Sequence, residues 1–142
     1  MGLDELNRNR ELHKQLEMAY EMAQSIRDRA GLRATSMNAM PRGSGISDHV
    51  GEIAAAAADL DQRIREIEDQ VEAGDQAIRA FANSTGDVRL QQIIQFRYIA
   101  CLTWERTAEL MGDRYTPSGC RRLLHKFLRV HLGAPVDASE LV

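Results

Sequence analysis

The stretch TWERTAELMGDRYTPSGCRRLLHKFLRV, from Thr103 to Val130, decides the fold because it predicts two short helices joined by a polar turn. Thr103 can cap the first helix by accepting a hydrogen bond from an unpaired backbone amide, and Gly112 can end that helix. Thr116 followed by Pro117 is a start signal for the second helix. This pattern is typical of a helix-turn-helix, a motif that places its second helix in the major groove of DNA.

The second predicted helix has an apolar face and a polar face. Its apolar residues recur at spacings of three and four, and they are Cys120, Leu123, Leu124, Phe127 and the borderline His131. The polar side is mostly cationic, and it predicts these DNA-binding residues: Thr116, Ser118, Arg121, Arg122, His125, Lys126 and Arg129. Ser118, Arg122 and His125 are the three expected to read base edges. Any surface helix also has a solvated polar face, so this pattern alone leaves DNA binding and simple solvation open.

The distribution of charge favours DNA binding at one end of the chain. Residues 88–131 contain eight Lys or Arg and three Asp or Glu, whereas the whole chain has 18 basic and 21 acidic residues and a net charge of −3. A weakly acidic protein with one basic end is not a general polyanion binder. We therefore expect only its last domain to meet phosphate.

The composition predicts an all-α protein of 142 residues with only 5% aromatic residues. Alternation typical of strands is nowhere sustained, and no uncharged apolar stretch is long enough to span a bilayer. The start MGLDELNRNR lacks the basic residues and apolar run of a secretion signal, which predicts a cytoplasmic location.

Two long helices are predicted to form an antiparallel, coiled-coil-like hairpin over residues 1–83. The first covers 3–30, with a seam at Leu12, Leu16, Ala19, Ala23, Ile26 and Ala30. A loop at 31–47 leads to a second helix over 48–82, whose seam is Val50, Ile53, Ala57, Leu60, Ile64, Ile67, Val71, Gly74, Ile78 and Phe81. At about 1.5 Å per residue the second helix is roughly 10 Å longer than the first. We expect its excess, near 71–81, to be covered by the C-terminal domain or by another copy of the chain.

The turn sequence NSTGD at 83–87 predicts a domain boundary. A helix over 88–102 then supports the helix-turn-helix, which makes a trihelical DNA-binding domain of residues 87–133, followed by a loose tail at 134–142. Its expected core is Leu90, Ile94, Tyr98, Trp104, Ala108, Leu110 or Met111, Cys120, Leu124 and Phe127.

The segment RYIACLTWERTAELMG, from Arg97 to Gly112, resembles the core of sigma-70 region 4-type domains. It resembles more closely the small phage-encoded transcriptional regulators of the RinA and ArpU kind, in which a stretch like MPRGSGISDHV precedes the DNA-binding half. The resemblance implies binding of double-stranded DNA at a promoter, with Trp104 as a packing residue and with Arg121, Arg122, His125 and Lys126 on the contact surface. Arg106 and the long turn GDRYTPSG depart from that family's pattern.

Other chemistries are weakly indicated. Cys101, Cys120, His125 and His131 lack the spacing of a zinc site, and no catalytic arrangement stands out, so we expect neither a metal, nor a cofactor, nor an enzyme. The leading hypothesis is a DNA-binding regulator whose helical N-terminal half forms a homodimer or holds RNA polymerase. The alternative is an interaction module that acts on a host protein without binding DNA.

Overall fold

The computed structural model describes residues 1–39 and 44–132, without the side chains of 32–39, 44–50 and 131–132. The chain is all-α, as predicted. Its helices are α1 (Leu3–Ala39), α2 (Ser44–Ser84), α3 (Val88–Ile94), a π-helical turn (Gln95–Ile99), α4 (Trp104–Met111) and α5 (Pro117–Leu132). None of the described helices is both long enough and apolar enough to cross a membrane.

The predicted loop at 31–47 is wrong over most of its length. α1 continues through Gly31 to Ala39, and α2 already begins at Ser44. A glycine inside a helix costs only about 1 kcal/mol relative to alanine, so Gly31 alone does not end α1. The part of the predicted loop at 40–43 and the predicted tail at 134–142 lie outside the described residues.

The structure also divides the chain differently from the predicted boundary at 83–87. One compact unit combines Met1–His13 with the chain from Val71 onward, and the other is Lys14–Gln70. The first unit is held together by one core that takes residues from all of its helices: Leu6, Ile78, Ala82, Ile93, Ile94, Tyr98, Trp104, Ala108, Cys120, Leu124 and Leu128. The start of α1 and the end of α2 thus belong to the same hydrophobic core as α4 and α5.

This shared core confirms that the C-terminal half covers the last turns of α2. Ile78 and Ala82 are almost fully buried in it, and the Phe81 ring lies 6.0 Å from the Phe127 ring of α5. Most of the predicted trihelical core is also confirmed. Of the two residues predicted as alternatives, Met111 packs against the core and Leu110 is 46% exposed.

A polar network lies inside this first unit. Asn9 Nδ2 donates hydrogen bonds of 2.9 Å to Asp75 Oδ1 and to the backbone oxygen of Tyr98. His13 Nε2 lies 2.8 Å from the same Asp75 oxygen. Asn9 and Asp75 are both buried, so these bonds tie the start of α1 to α2 and to the π-helical turn.

The second unit contains the middle parts of α1 and α2. Its buried apolar residues are seam residues that the periodicity predicted, namely Ala19, Ala23, Ile64 and Ile67. Partial burial and the charge of Glu68 on α2 raise the pKa of Tyr20 on α1, which places these two side chains beside each other. Met18 and Met22, four residues apart on α1, are 54% and 57% exposed.

The helix predicted over 88–102 is less regular than expected. α3 ends at Ile94, the π-helical turn follows, and Cys101 then takes a φ of 60°, which is uncommon for a residue with a side chain. Asp87 caps α3, as predicted, by accepting a hydrogen bond of 2.9 Å from the backbone amide of Arg89.

Candidate nucleic-acid interface

Two hydrogen bonds fix the start of α4, and the first of them is the Thr103 cap that the sequence predicts. Thr103 Oγ1 accepts a bond of 3.1 Å from the Arg106 amide, which satisfies one of the unpaired donors at the helix start. The hydroxyl of the fully buried Thr107 donates to the Thr103 carbonyl at 2.8 Å. Trp104 and Ala108 on the same side of α4 enter the core. α4 is therefore seated by one buried face and a capped first turn.

The turn between α4 and α5 runs from Gly112 to Thr116. Gly112 has a φ of 119° and a ψ of 176°, a conformation open to glycine and strained for other residues. Its carbonyl accepts a hydrogen bond of 3.1 Å from the Tyr115 amide. Thr116 then caps α5, because its Oγ1 accepts a bond of 3.0 Å from the Gly119 amide. The two short helices and the intervening turn lie where the sequence predicted them.

The buried face of α5 is rotated from the predicted one. Cys120, Leu124 and Leu128, each four residues apart, are almost completely buried, while Leu123 and Phe127 are only partly buried. A row at this spacing faces one direction along a helix. The inward face is therefore centred on Leu124 and turned toward the side that carries His125.

This rotation corrects one predicted contact residue. His125 was expected to read bases from the exposed face, but it is only 4% exposed. It lies three residues before Leu128 and next to Leu124, so it borders the buried row and turns into the protein with it. His125 is a packing residue of α5 and is not available to a base edge.

The other predicted contact residues of α5 remain at the surface. Ser118, Arg122, Lys126 and Arg129 are exposed, and we call these four residues the basic face. They recur at spacings of four and three, so they lie on one side of the helix. Thr116 is exposed as well, but its side-chain oxygen already serves the helix cap.

Arg121 is half-buried and lies over an aromatic ring. Its Cζ is 5.7 Å from the centroid of the Trp104 ring, and Arg97 Cζ is 4.7 Å from the same centroid. Such distances allow cation–π attraction of about 0.5–1 kcal/mol each. Arg97 was not predicted as a site residue, because nothing in the periodicity of its helix marks it.

An acidic groove borders the turn between α4 and α5. It is lined in part by Glu105, Glu109 and Asp113, and Glu109 also forms an ion pair of 2.8 Å with Arg106. Carboxylates repel a phosphate backbone. The carboxylates of this groove belong to α4 and to the turn, whereas the basic face belongs to α5.

Comparison with family models, with curated proteins and with solved structures finds no match for this chain.

Proposed function

We propose that this chain is a transcriptional regulator that binds a specific DNA sequence by laying α5 in the major groove. The observation that carries the proposal is the basic face, which stays exposed on a helix whose other side is anchored by Cys120, Leu124 and Leu128. Ser118 and Arg122 lie near the start of α5, the part of a recognition helix that meets base edges. Lys126 and Arg129 lie further along, where they can neutralise phosphates.

The resemblance to phage regulators adds three proposals. The target is a promoter, RNA polymerase is a partner, and two copies of the chain form a dimer through the long helices. A dimer would double the contact area and would favour a target with two related half-sites. The acidic groove beside α4 supports an approach of DNA over α5, because Glu105 and Glu109 would oppose an approach over α4.

The experiment that tests this function is selection from a pool of randomised duplexes, followed by mobility shift on the selected sequence and on DNA around the gene. We expect one preferred sequence. Arg122→Ala should relax the preference at one base position and cost about 1–3 kcal/mol, whereas Lys126→Ala should weaken every duplex equally. Arg63→Ala, an exposed arginine of the second unit, is the matched control. Recovery of no preferred sequence would sink the proposal.

A second candidate function is a protein-binding module, and the exposed pair Met18 and Met22 favours it. Methionine is flexible and polarisable, so it suits surfaces that adapt to a partner protein. Replacing both residues by Gln should abolish capture of a host protein and leave DNA binding unchanged. If that capture persists in a chain that binds no duplex, and is lost in the double Gln variant, the module is the better description.

A further inference from the structure

Two arginines from distant parts of the chain lie over the only tryptophan, and the charge of a third acts on one of them. We call these three residues, Arg10, Arg97 and Arg121, the arginine cluster. Arg97 and Arg121 both lie over the Trp104 ring. Arg10 belongs to the same neighbourhood, because its charge acts on Arg97 and because its neighbour Asn9 donates from Nδ2 to the Tyr98 carbonyl, one residue beyond Arg97. The cluster thus joins α1, the π-helical turn and α5.

Two members of the cluster, Arg10 and Arg97, have no matching carboxylate among the described side chains, since no Asp or Glu there lies within ion-pair distance of either. Asp75 is the acidic residue of this network, and its Oδ1 already accepts from Asn9 and meets His13. Moreover, the buried Nε–H groups of Arg10 and Arg97 have no acceptor among the described residues. Such an arrangement is unfavourable unless an anion joins it.

The electrostatics of the neighbouring groups agree with this geometry. Burial, and after it the charge of Arg10, lowers the pKa of Arg97, with a smaller contribution from Arg121. Burial also raises the pKa of Tyr98, and the charges of Arg97, Arg10 and Arg121 oppose that increase. All three guanidinium groups therefore act on the same small volume beside Tyr98. A bound anion would relieve their mutual repulsion.

Arg97 is held in place for this role. Its Nη1 donates a hydrogen bond of 2.9 Å to the Leu102 carbonyl, and the residue lies in the π-helical turn that interrupts its helix. π-Helical turns of this kind are frequent at functional sites, because they redirect side chains away from the regular helical positions. All three arginines are partly exposed, so the cluster is accessible from solvent.

We propose that the arginine cluster is a second phosphate-binding site, which holds a backbone phosphodiester of the DNA whose bases meet the basic face. The inference rests on the proposed function and extends it to residues outside α5. Arg121 and Arg122 are adjacent, so the cluster borders the basic face at the start of α5. Planar guanidinium groups match phosphate oxygens well, and phosphates on either side of a groove commonly position a recognition helix.

The test measures affinity for a duplex of arbitrary sequence against salt concentration, by fluorescence anisotropy. Arg97→Gln should make the slope of log K against log salt shallower by about 0.9, and should weaken binding roughly tenfold at 0.1 M salt. Arg97→Lys should keep most of the slope, since it keeps the charge. Arg10→Gln should resemble Arg97→Gln, and Arg63→Gln is the charge-matched control that should change nothing. Thermal melts check that each variant is folded.

Trp104 supplies a second readout, because it is the only tryptophan of the chain. Its emission should change when duplex DNA binds, and this change should be lost in Arg97→Gln.

Binding of the preferred sequence with no change of salt slope in either Gln variant would overturn the second site and leave the proposed function intact. If every duplex binds equally well and binding is weakened by the Gln variants of the cluster, the phosphate site is supported and the proposed sequence-specific function is contradicted. A Trp104 response to inorganic phosphate alone, with none to duplexes, would overturn the assignment to DNA.

Discussion

The side chain of Asn9 donates a hydrogen bond of 2.9 Å to the backbone carbonyl of Tyr98, which lies 89 positions later in the chain. This bond joins the first turns of α1 to the π-helical turn that precedes α4 and α5. Leu6, one turn earlier on α1, is fully buried in the core that also holds Leu124 of α5. The motif therefore depends on residues from the opposite end of the sequence.

A fragment of residues 87–133 should consequently be much less stable than the full chain. It lacks Leu6, Ile78 and Ala82, which the full chain buries in the same core. Below roughly 70–80 residues a single core rarely supplies more than about 3–5 kcal/mol, so this loss should leave the fragment mostly unfolded. Thermal melts followed by circular dichroism measure it. A cooperative melt at the temperature of the full chain would contradict the shared core.

Asn9→Ala should lower the free energy of unfolding by about 1–3 kcal/mol, because it removes a donor from two buried acceptors, Asp75 and the Tyr98 carbonyl. Urea denaturation measures the change. Asn7→Ala is the matched control, since Asn7 is exposed on the same helix and its loss should have little effect. Equal stability of the two variants would mean that the network contributes nothing.

Gly74→Ala and Gly51→Ala should change stability in opposite directions. A Cβ on Gly74 would collide with the Asn9 side chain, whereas a Cβ on Gly51 meets nothing within 4 Å. Both glycines lie inside α2, where alanine is the better helix former by about 0.5–1 kcal/mol. Gly51→Ala should therefore stabilise the chain, and Gly74→Ala should destabilise it by about 1–3 kcal/mol. Urea denaturation measures both effects: the midpoint should rise for Gly51→Ala and fall for Gly74→Ala, relative to the unchanged chain.

A double variant shows whether the Gly74 effect comes from Asn9. In an Asn9→Ala background the obstructing side chain is gone, so Gly74→Ala should cost less than it does alone. The coupling free energy of such a cycle should be about 0.5 kcal/mol or more. If the changes in free energy of unfolding of the two single variants simply add up in the double variant, Asn9 is not the side chain that obstructs a Cβ at position 74.

Most of the fold could be predicted from hydrophobic periodicity, and the failures have identifiable causes. The apolar seam of α2 could be predicted from the sequence because apolar residues recur at regular spacings over many turns. The seam of α1 was predicted only from Leu12 onward. The burial of the turns before it was not predicted, because the inward position three residues before Leu12 holds the polar residue Asn9. Its partner is Gly74, a seam position of α2 without a side chain. Polar pairing of this kind fixes register in coiled coils, and no pattern of apolar residues reveals it.

The candidate site was predicted only in part. The helix caps at Thr103 and Thr116 could be predicted from the sequence, because capping depends on a few neighbouring residues. The rotation of α5 was not recognised, although Leu128 completes a row with Cys120 and Leu124 that could have shown it. The role of Arg97 could not be predicted from hydrophobic periodicity, because its position depends on the π-helical turn and on contacts with residues distant in sequence.

The rotation of α5 predicts different outcomes for substitution of His125 and of Arg129, which lie one turn apart on the helix. His125→Ala should lower the free energy of unfolding by about 1–3 kcal/mol, because a buried side chain and its interactions are lost. Arg129→Ala should leave unfolding unchanged and should weaken DNA binding in a salt-dependent way, because Arg129 is exposed. Urea denaturation and anisotropy on the same samples separate the two effects. Loss of base preference in a fully stable His125→Ala variant would restore His125 as a contact residue.

The cap of α3 predicts a pH dependence with a definite sign. The hydrogen bond from the Arg89 side chain is the main cause that lowers the pKa of Asp87, and burial opposes it. A carboxyl group with a lowered pKa stabilises the fold above the ordinary aspartate value of about 3.9, and this contribution is lost as the pH falls through its value in the folded protein. Asp87→Ala should cost about 1 kcal/mol at pH 7, whereas Asp87→Asn keeps the capping oxygen and should cost less. Urea denaturation from pH 7 to pH 3 should show the deficit of Asp87→Asn shrinking toward zero as the wild-type carboxyl group becomes protonated. A deficit that stays constant over that range would show that the charge of Asp87 does not stabilise the helix.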